Sequence, residues 1–131
     1  GTGEATARRF VREGASVVLA DVLDEPGRKV AAALGERALY VHLDVTSEAE
    51  WAACVEQTLA RFGRLDVLVN NAAVLHIAPL EETALADWDR LLRVNQTGPF
   101  LGIKTVAKAM RAGGGGSIVN LSSIAGTRGI P

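Results

Sequence analysis

Residues 65–73, Leu-Asp-Val-Leu-Val-Asn-Asn-Ala-Ala, most constrain what this chain can fold into. The apolar run Val67-Leu68-Val69 lacks polar alternation, the pattern of a strand covered on both faces, and it stops at two amides and two small residues. It reads as a central parallel strand delivering Asn70 and Asn71 to its carboxyl end. In an open α/β sheet that end is where ligands bind.

Helices and strands alternate around this stretch. Residues 4–13 put Ala7, Phe10 and Val11 on one helical face, with Gly14 as the stop. Val17-Val18-Leu19-Ala20 is a buried strand ending at Asp21, and residues 25–34 form an Ala-rich helix closed by Gly35. Tyr40-Val41-His42-Leu43 is a strand ending at Asp44. Ser47-Glu48-Ala49-Glu50 is a capping-box pattern, in which hydroxyl and carboxylate reciprocally satisfy backbone amides. Trp51, Val55 and Leu59 follow at spacing four, so this helix runs to about Arg61 before Gly63 ends it. Beyond a loop containing Pro79, Trp88, Leu91, Leu92 and Leu101 mark a long helical region towards Met110. The flexible run Gly113-Gly114-Gly115-Gly116 then leads to a strand, Ser117-Ile118-Val119-Asn120-Leu121, and to Ser122 and Ser123. The alternation predicts a parallel sheet with helices on both faces.

A chain of 131 residues with 48% hydrophobic content is one domain with material for a real core. Its net charge of −1, with scattered basic residues, gives no reason to expect nucleic acid or an anionic membrane as partner. No apolar run approaches membrane-spanning length and no basic-then-apolar stretch opens the chain, so a soluble cytoplasmic protein is expected. Cys54 lies in a helical pattern and reads as a small apolar residue, not a reactive thiol. His42 and His76 lack the companions a metal site needs, so no metal is expected.

Several residues have both a chemical and a plain structural reading. Gly1-x-Gly3 before a helix is either the end of a pyrophosphate-binding turn or a frayed terminus. Asp21 lies 18 positions beyond Gly3, where a carboxylate can accept from both hydroxyls of an adenosine ribose; the other reading is a helix cap before Glu25. Asp44-Val45 can bracket an adenine, or Asp44 can be a turn residue ahead of Ser47. Asn70, Asn71 and Asn95 are amides in apolar settings, either functional or polar plugs, and Thr97-Gly98-Pro99 suggests a local kink beside Asn95. Ser122-Ser123 offers a hydroxyl to a substrate oxygen or simply makes a turn. No Gly-x-Ser-x-Gly elbow occurs, which argues against a serine hydrolase.

As an ordered set these residues resemble the classical short-chain dehydrogenase/reductase family. The motifs are Gly1-Thr2-Gly3 as the tail of a Thr-Gly-x-x-x-Gly-x-Gly turn, Asp21, Asp44-Val45, Asn70-Asn71-Ala72-Ala73, Asn95 and residues 118–126. Residues 17–24, 42–46 and 104–123 are most similar to bacterial hydroxysteroid dehydrogenases. The resemblance implies an α/β fold of Rossmann type, a doubly wound parallel sheet incomplete at both ends, with residues 1–131 a partial NAD-binding domain. It implies that Gly1 and Gly3 belong to the cofactor turn and that Asp21, with its neighbour Val22, holds the adenosine ribose. Asp44 and Val45 contact adenine, Asn71 and Ala72 line the ribose on the nicotinamide side, and Ala73 adds a methyl near the cofactor. Asn95 anchors a proton-relay water, and Ser123 orients the substrate carbonyl. The implied activity is hydride transfer between NAD and a secondary alcohol or ketone, steroids among the candidates, in a homo-dimer or homo-tetramer. Asp21 argues for NAD over NADP, because a 2′-phosphate there meets like charge.

Two small departures are Thr2, where the family usually has Ile or Leu, and Ala73, where it usually has Gly. A larger one concerns the family's general acid/base, the Tyr of a Tyr-x-x-x-Lys pair about thirteen residues beyond the serine. Pro131 stands eight residues past Ser123, and the only tyrosine is Tyr40, on another strand. In the strand order 3-2-1-4-5-6 a first strand belongs between those ending at Asp21 and Asn70. Without it both present unpaired inner edges. The chain is therefore expected to be a fragment of a longer enzyme, poorly folded or aggregation-prone alone. The alternatives are a non-catalytic dinucleotide-binding protein and an inactive truncated product.

Overall fold

Helices and strands alternate along the chain in the computed structural model, which describes residues 1–126 and residue 128. The rest of the expected 1–131 domain lies outside the described residues. Helix α1 (Thr2–Arg12) leads to strand β1 (Val17–Asp21), helix α2 (Asp24–Leu34), strand β2 (Ala38–His42) and helix α3 (Glu48–Phe62). Strand β3 (Val67–Asn70), helix α4 (Leu85–Leu92), a π-helical turn (Arg93–Thr97), helix α5 (Gly98–Ala112) and strand β4 (Ser117–Asn120) follow. The stop of α3 is typical: Gly63 adopts φ 77°, left-handed, and donates its N–H to the Leu59 carbonyl.

Strand pairing is parallel, as the alternation predicts. β1 pairs with β2 from Val17↔Ala38 to Asp21↔His42, and β3 pairs with β4 from Val67↔Ser117 to Asn70↔Asn120. These are two separate two-stranded sheets. A cavity of about 720 Å³ lies between them, lined by all of β1 and all of β3. β3 therefore has a hydrogen-bonded neighbour on one edge and this cavity on the other, and Val67 is 47% exposed where its apolar run predicts cover on both faces.

Side-chain alternation along β2 places helices on opposite faces. Tyr40 packs against Gly27 of α2, where a Cβ would overlap the phenol ring. Its neighbour Val41 points the other way, into a cluster with Leu43, Trp51, Cys54 and Leu101. Val18, Leu39, Val45 and Leu68 pack against that cluster, so side chains from both sheets meet under α3 and α5. Burying each large side chain there contributes about 1.5–3 kcal/mol.

Three local details differ from the expected pattern. The buried face of α3 is Trp51, Cys54 and Thr58, and Leu59 is exposed. A strict spacing of four drifts about 40° around a helix at each step, whereas three-then-four spacing stays on one face. Thr58 satisfies its buried hydroxyl by donating to the Cys54 carbonyl at 2.7 Å. The capping box closes on one side only: Ser47 Oγ accepts from Glu50 N at 3.3 Å, but the Glu50 carboxylate takes the Asp44 N–H at 2.6 Å. Ser47 N donates instead to the Asp44 carbonyl. The kink expected near Thr97-Gly98-Pro99 is a π-turn one step earlier, and Pro99 sits in the first turn of α5, where a missing N–H is tolerated.

Candidate functional site

The carboxyl ends of β1, β2 and β3 open onto a cleft of about 440 Å³. Seven residues assigned from the sequence to cofactor contact line it: Asp21, Val22, Asp44, Val45, Asn71, Ala72 and Ala73. Thr2 at the start of α1 lines it too, so a helix N-terminus and three strand ends meet there. Gly1 and Gly3 line the adjoining larger cavity. Gly3 backs onto the cleft, since a Cβ there would stand 3.0 Å from Asn71 Nδ2.

The neighbouring asparagines divide their work. Asn70 is only 9% exposed, and its Nδ2 donates to Asn120 Oδ1 at 2.8 Å across the β3–β4 pair. It is the polar plug of the two, while exposed Asn71 faces the cleft. Asp21 is exposed and accepts from Leu23 N at 3.0 Å. It does not cap α2, whose N-cap is Leu23 with no side-chain cap. The Asp44 carboxylate accepts from Thr46 N at 2.8 Å, and the Thr46 hydrogen bonds hold its pKa below the usual carboxylate range. Asp44 thus makes the turn ahead of Ser47 and still borders the cleft as an ionised group. The Val45 carbonyl accepts the Trp51 indole N–H at 2.9 Å, and a Cβ on Gly98 would stand 2.8 Å from Val45 Cγ2, so α5 comes close to that wall.

Asn95 lies in the π-turn and is exposed to solvent. Its amide is committed to a loop backbone, Oδ1 accepting from Val74 N and Nδ2 donating to Val74 O, each at 2.8 Å. Ser123 lines neither cavity; its Oγ accepts from Ala125 N at 3.2 Å as a 3-10 turn begins. His76 also lines neither, and its Nδ1 is 4.0 Å from Asp87 Oδ1.

Tyr40 is not built as an acid/base. Its hydroxyl stands 2.6 Å from the Asp21 carbonyl and 2.8 Å from Asp24 Oδ1, and burial with the Asp24 hydrogen bond pushes its pKa up to about 12. A general base needs the opposite shift. Val74 and Val94 also line the cleft and were not foreseen. Val94 adjoins Asn95 in the helical pattern, a signal that could have found it; nothing in the sequence marks Val74.

The short chain dehydrogenase family model matches residues 1–131. The chain is 53% identical over 129 residues to a 3-alpha-(or 20-beta)-hydroxysteroid dehydrogenase of Mycobacterium tuberculosis (strain ATCC 25618 / H37Rv), covering 98% of this chain and 50% of the relative. It is 45% identical over 130 residues to a sorbitol dehydrogenase of Cereibacter sphaeroides, covering 98% and 51%. A cyclopentanol dehydrogenase of Comamonas testosteroni is 41% identical over 134 residues, covering 100% and 54%. The chain spans about half the length of these relatives. A family match along the whole chain, with Asp21, Asp44, Val45, Asn71, Ala72 and Ala73 lining one cleft at the strand ends, means that this chain belongs to the short-chain dehydrogenase family.

Proposed function

We propose that the protein carrying this chain is an NAD(H)-dependent oxidoreductase of secondary alcohols or ketones, and that residues 1–131 are its dinucleotide-binding part. The convergence of Asp21, Asp44, Val45, Asn71 and Ala72 on one cleft carries this reading. Bound there, NAD supplies the hydride acceptor for alcohol oxidation and, when reduced, the donor for ketone reduction. Asp21 accepts from the ribose hydroxyls and repels a 2′-phosphate, which favours NAD over NADP. The cleft suits such a group: small side chains, Ala72 and Ala73, line it together with the exposed carboxylate of Asp21. Asn95 holds the loop at Val74 beside the cofactor, and Ser123 orients the substrate oxygen. The 131 residues contain no Tyr-x-x-x-Lys, so the group that moves the hydroxyl proton is assigned to chain outside them.

The similarity to a hydroxysteroid dehydrogenase makes a steroid alcohol the first substrate to test. Exposed Trp88 and Phe100 on the α4–α5 segment, 51% and 60% accessible, favour a homo-dimer or homo-tetramer. No described helix is long and apolar enough to cross a membrane. A cytoplasmic setting keeps the free thiol of Cys54 reduced. Turnover is measured by following nicotinamide reduction by the full-length protein with steroid, cyclic and sugar alcohols. NAD-dependent oxidation of any of them supports the reading; NAD binding without turnover points to a non-catalytic dinucleotide-binding protein.

A further inference from the structure

The only tyrosine of the chain lies outside the cleft, yet it touches the residue on which cofactor choice turns. The Tyr40 hydroxyl has one proton and two acceptors, the backbone carbonyl of Asp21 at 2.6 Å and Asp24 Oδ1 at 2.8 Å. The same Asp24 oxygen lies 2.6 Å from His42 Nδ1, and Arg28 reaches Asp24 Oδ2 at 3.6 Å while standing 5.4 Å from the centre of the Tyr40 ring. Asp24 opens α2, so one carboxylate ties the helix start to two β2 side chains.

The approach depends on a glycine. Tyr40 lies against α2 at Gly27, where any Cβ would overlap the ring, and only this close passage brings the hydroxyl to the β1–α2 turn. The same Asp21 carbonyl also accepts from Leu43 N, and the Asp21 carboxylate accepts from Leu23 N. The turn is thus anchored from β2 at the carbonyl, and the exposed carboxylate is held where it lines the cleft.

We infer that Tyr40 and Asp24 are positioning residues for cofactor selection: by fixing the Asp21 backbone they hold its carboxylate against the adenosine ribose and against a 2′-phosphate. The inference rests on the reading of Asp21 as the ribose carboxylate. Loosening the turn weakens NAD binding, because the carboxylate must be re-ordered on each binding event. It also weakens the exclusion of NADP, because a mobile carboxylate can swing away from a phosphate. Neither residue touches the reacting atoms, so the rate of a saturated enzyme is unaffected.

The test uses Tyr40→Phe in the full-length protein, which keeps the ring against Gly27 and removes the hydroxyl alone. The expected result is a rise of about threefold to tenfold in KM for NAD, an unchanged kcat, and a smaller preference for NAD over NADP. Asp24→Asn is expected to shift the same two quantities in the same direction, and it serves as the readout should Tyr40→Phe lower the thermal midpoint. Binding of ADP-ribose, which carries the ribose without the nicotinamide, should weaken in parallel. An unchanged NAD-to-NADP preference in both variants overturns the inference. Asp21→Ala, measured alongside, separates the two levels. If it alters the preference and Tyr40→Phe does not, only the positioning role falls; if neither alters it, the reading of Asp21 falls as well.

Discussion

Asn95 and Val74 are joined by both ends of one amide, each bond 2.8 Å long, across 21 residues of sequence. The π-turn of residues Arg93–Thr97 carries this asparagine, and Val74 lines the cleft. A widened helical turn is thereby coupled to the loop leaving β3. Such turns recur at functional sites because they displace a residue from regular helical register.

Asn95→Ala removes both bonds and is expected to destabilise the full-length protein by about 1–2 kcal/mol. Asn95→Asp keeps the acceptor for Val74 N but sets an oxygen against the Val74 carbonyl, so it is expected to be no milder. Urea denaturation of the two variants reads the stability. Hydrogen exchange at the Val74 amide should accelerate in both, and unchanged protection there would remove the loop anchor from this account.

Gly102→Ala tests the packing beneath the strand ends. A Cβ at this buried position would stand 2.9 Å from Asn70 Oδ1 and 2.9 Å from Trp51, closer than real contacts allow. Overpacking of this kind costs about 1–3 kcal/mol, against about 1 kcal/mol returned by replacing a helical glycine. A net loss of about 1 kcal/mol is expected in chemical denaturation. A stabilised variant would show that α5 shifts freely away from Asn70.

The exposed pair His42 and Asp24 gives stability a pH signature. The Asp24 hydrogen bond raises the His42 pKa above its ordinary 6.5, with nearby Glu50 and Asp44 adding to the effect. The contribution of protonated His42 is complete below pH 6.5 and is lost as pH rises through the raised value. Asp24, held below its ordinary 3.8 first by the His42 hydrogen bond and then by that of Tyr40, contributes above pH 3.8 and loses its contribution as pH falls through the depressed value. The pair is strongest between those limits. His42→Gln is expected to flatten the decline of the thermal midpoint on the alkaline side, and identical profiles for wild type and variant would contradict the pairing.

The edges of β1 and β3 that face the 720 Å³ cavity make a further prediction. Unpaired strand edges expose backbone donors and acceptors and invite association. Residues 1–131 expressed alone are expected to give a broad, non-cooperative thermal transition and concentration-dependent scattering. A sharp two-state transition from a monomer would show that the two strand pairs are self-sufficient.

Local chemistry made much of this architecture legible. A glycine at position 63, a hydroxyl at position 47 and unbroken apolar runs at β1 and β3 each fix an element through its own neighbours, so boundaries fell within a few residues of expectation. The cleft was legible because strand ends in a parallel sheet converge on one edge, which put Asp21, Asp44 and Asn71 together without knowledge of any contact. Relationships between distant segments were not legible. Glu50 turning to Asp44 N, Asn95 clasping Val74 and Tyr40 reaching Asp21 all depend on how helices lie over strands. Tyr40 shows this best: its hydroxyl has meaning only once Gly27 lets α2 approach β2.

Calorimetric titration of the full-length protein with NAD and with NADP, in wild type and Asp21→Ala, tests the central claim most directly. Wild type is expected to bind NAD at least about tenfold more tightly than NADP, and Asp21→Ala to weaken NAD by about tenfold or more while narrowing or reversing the preference. A wild type that binds neither dinucleotide, or an Asp21→Ala variant with both affinities unchanged, would contradict the assignment of this cleft.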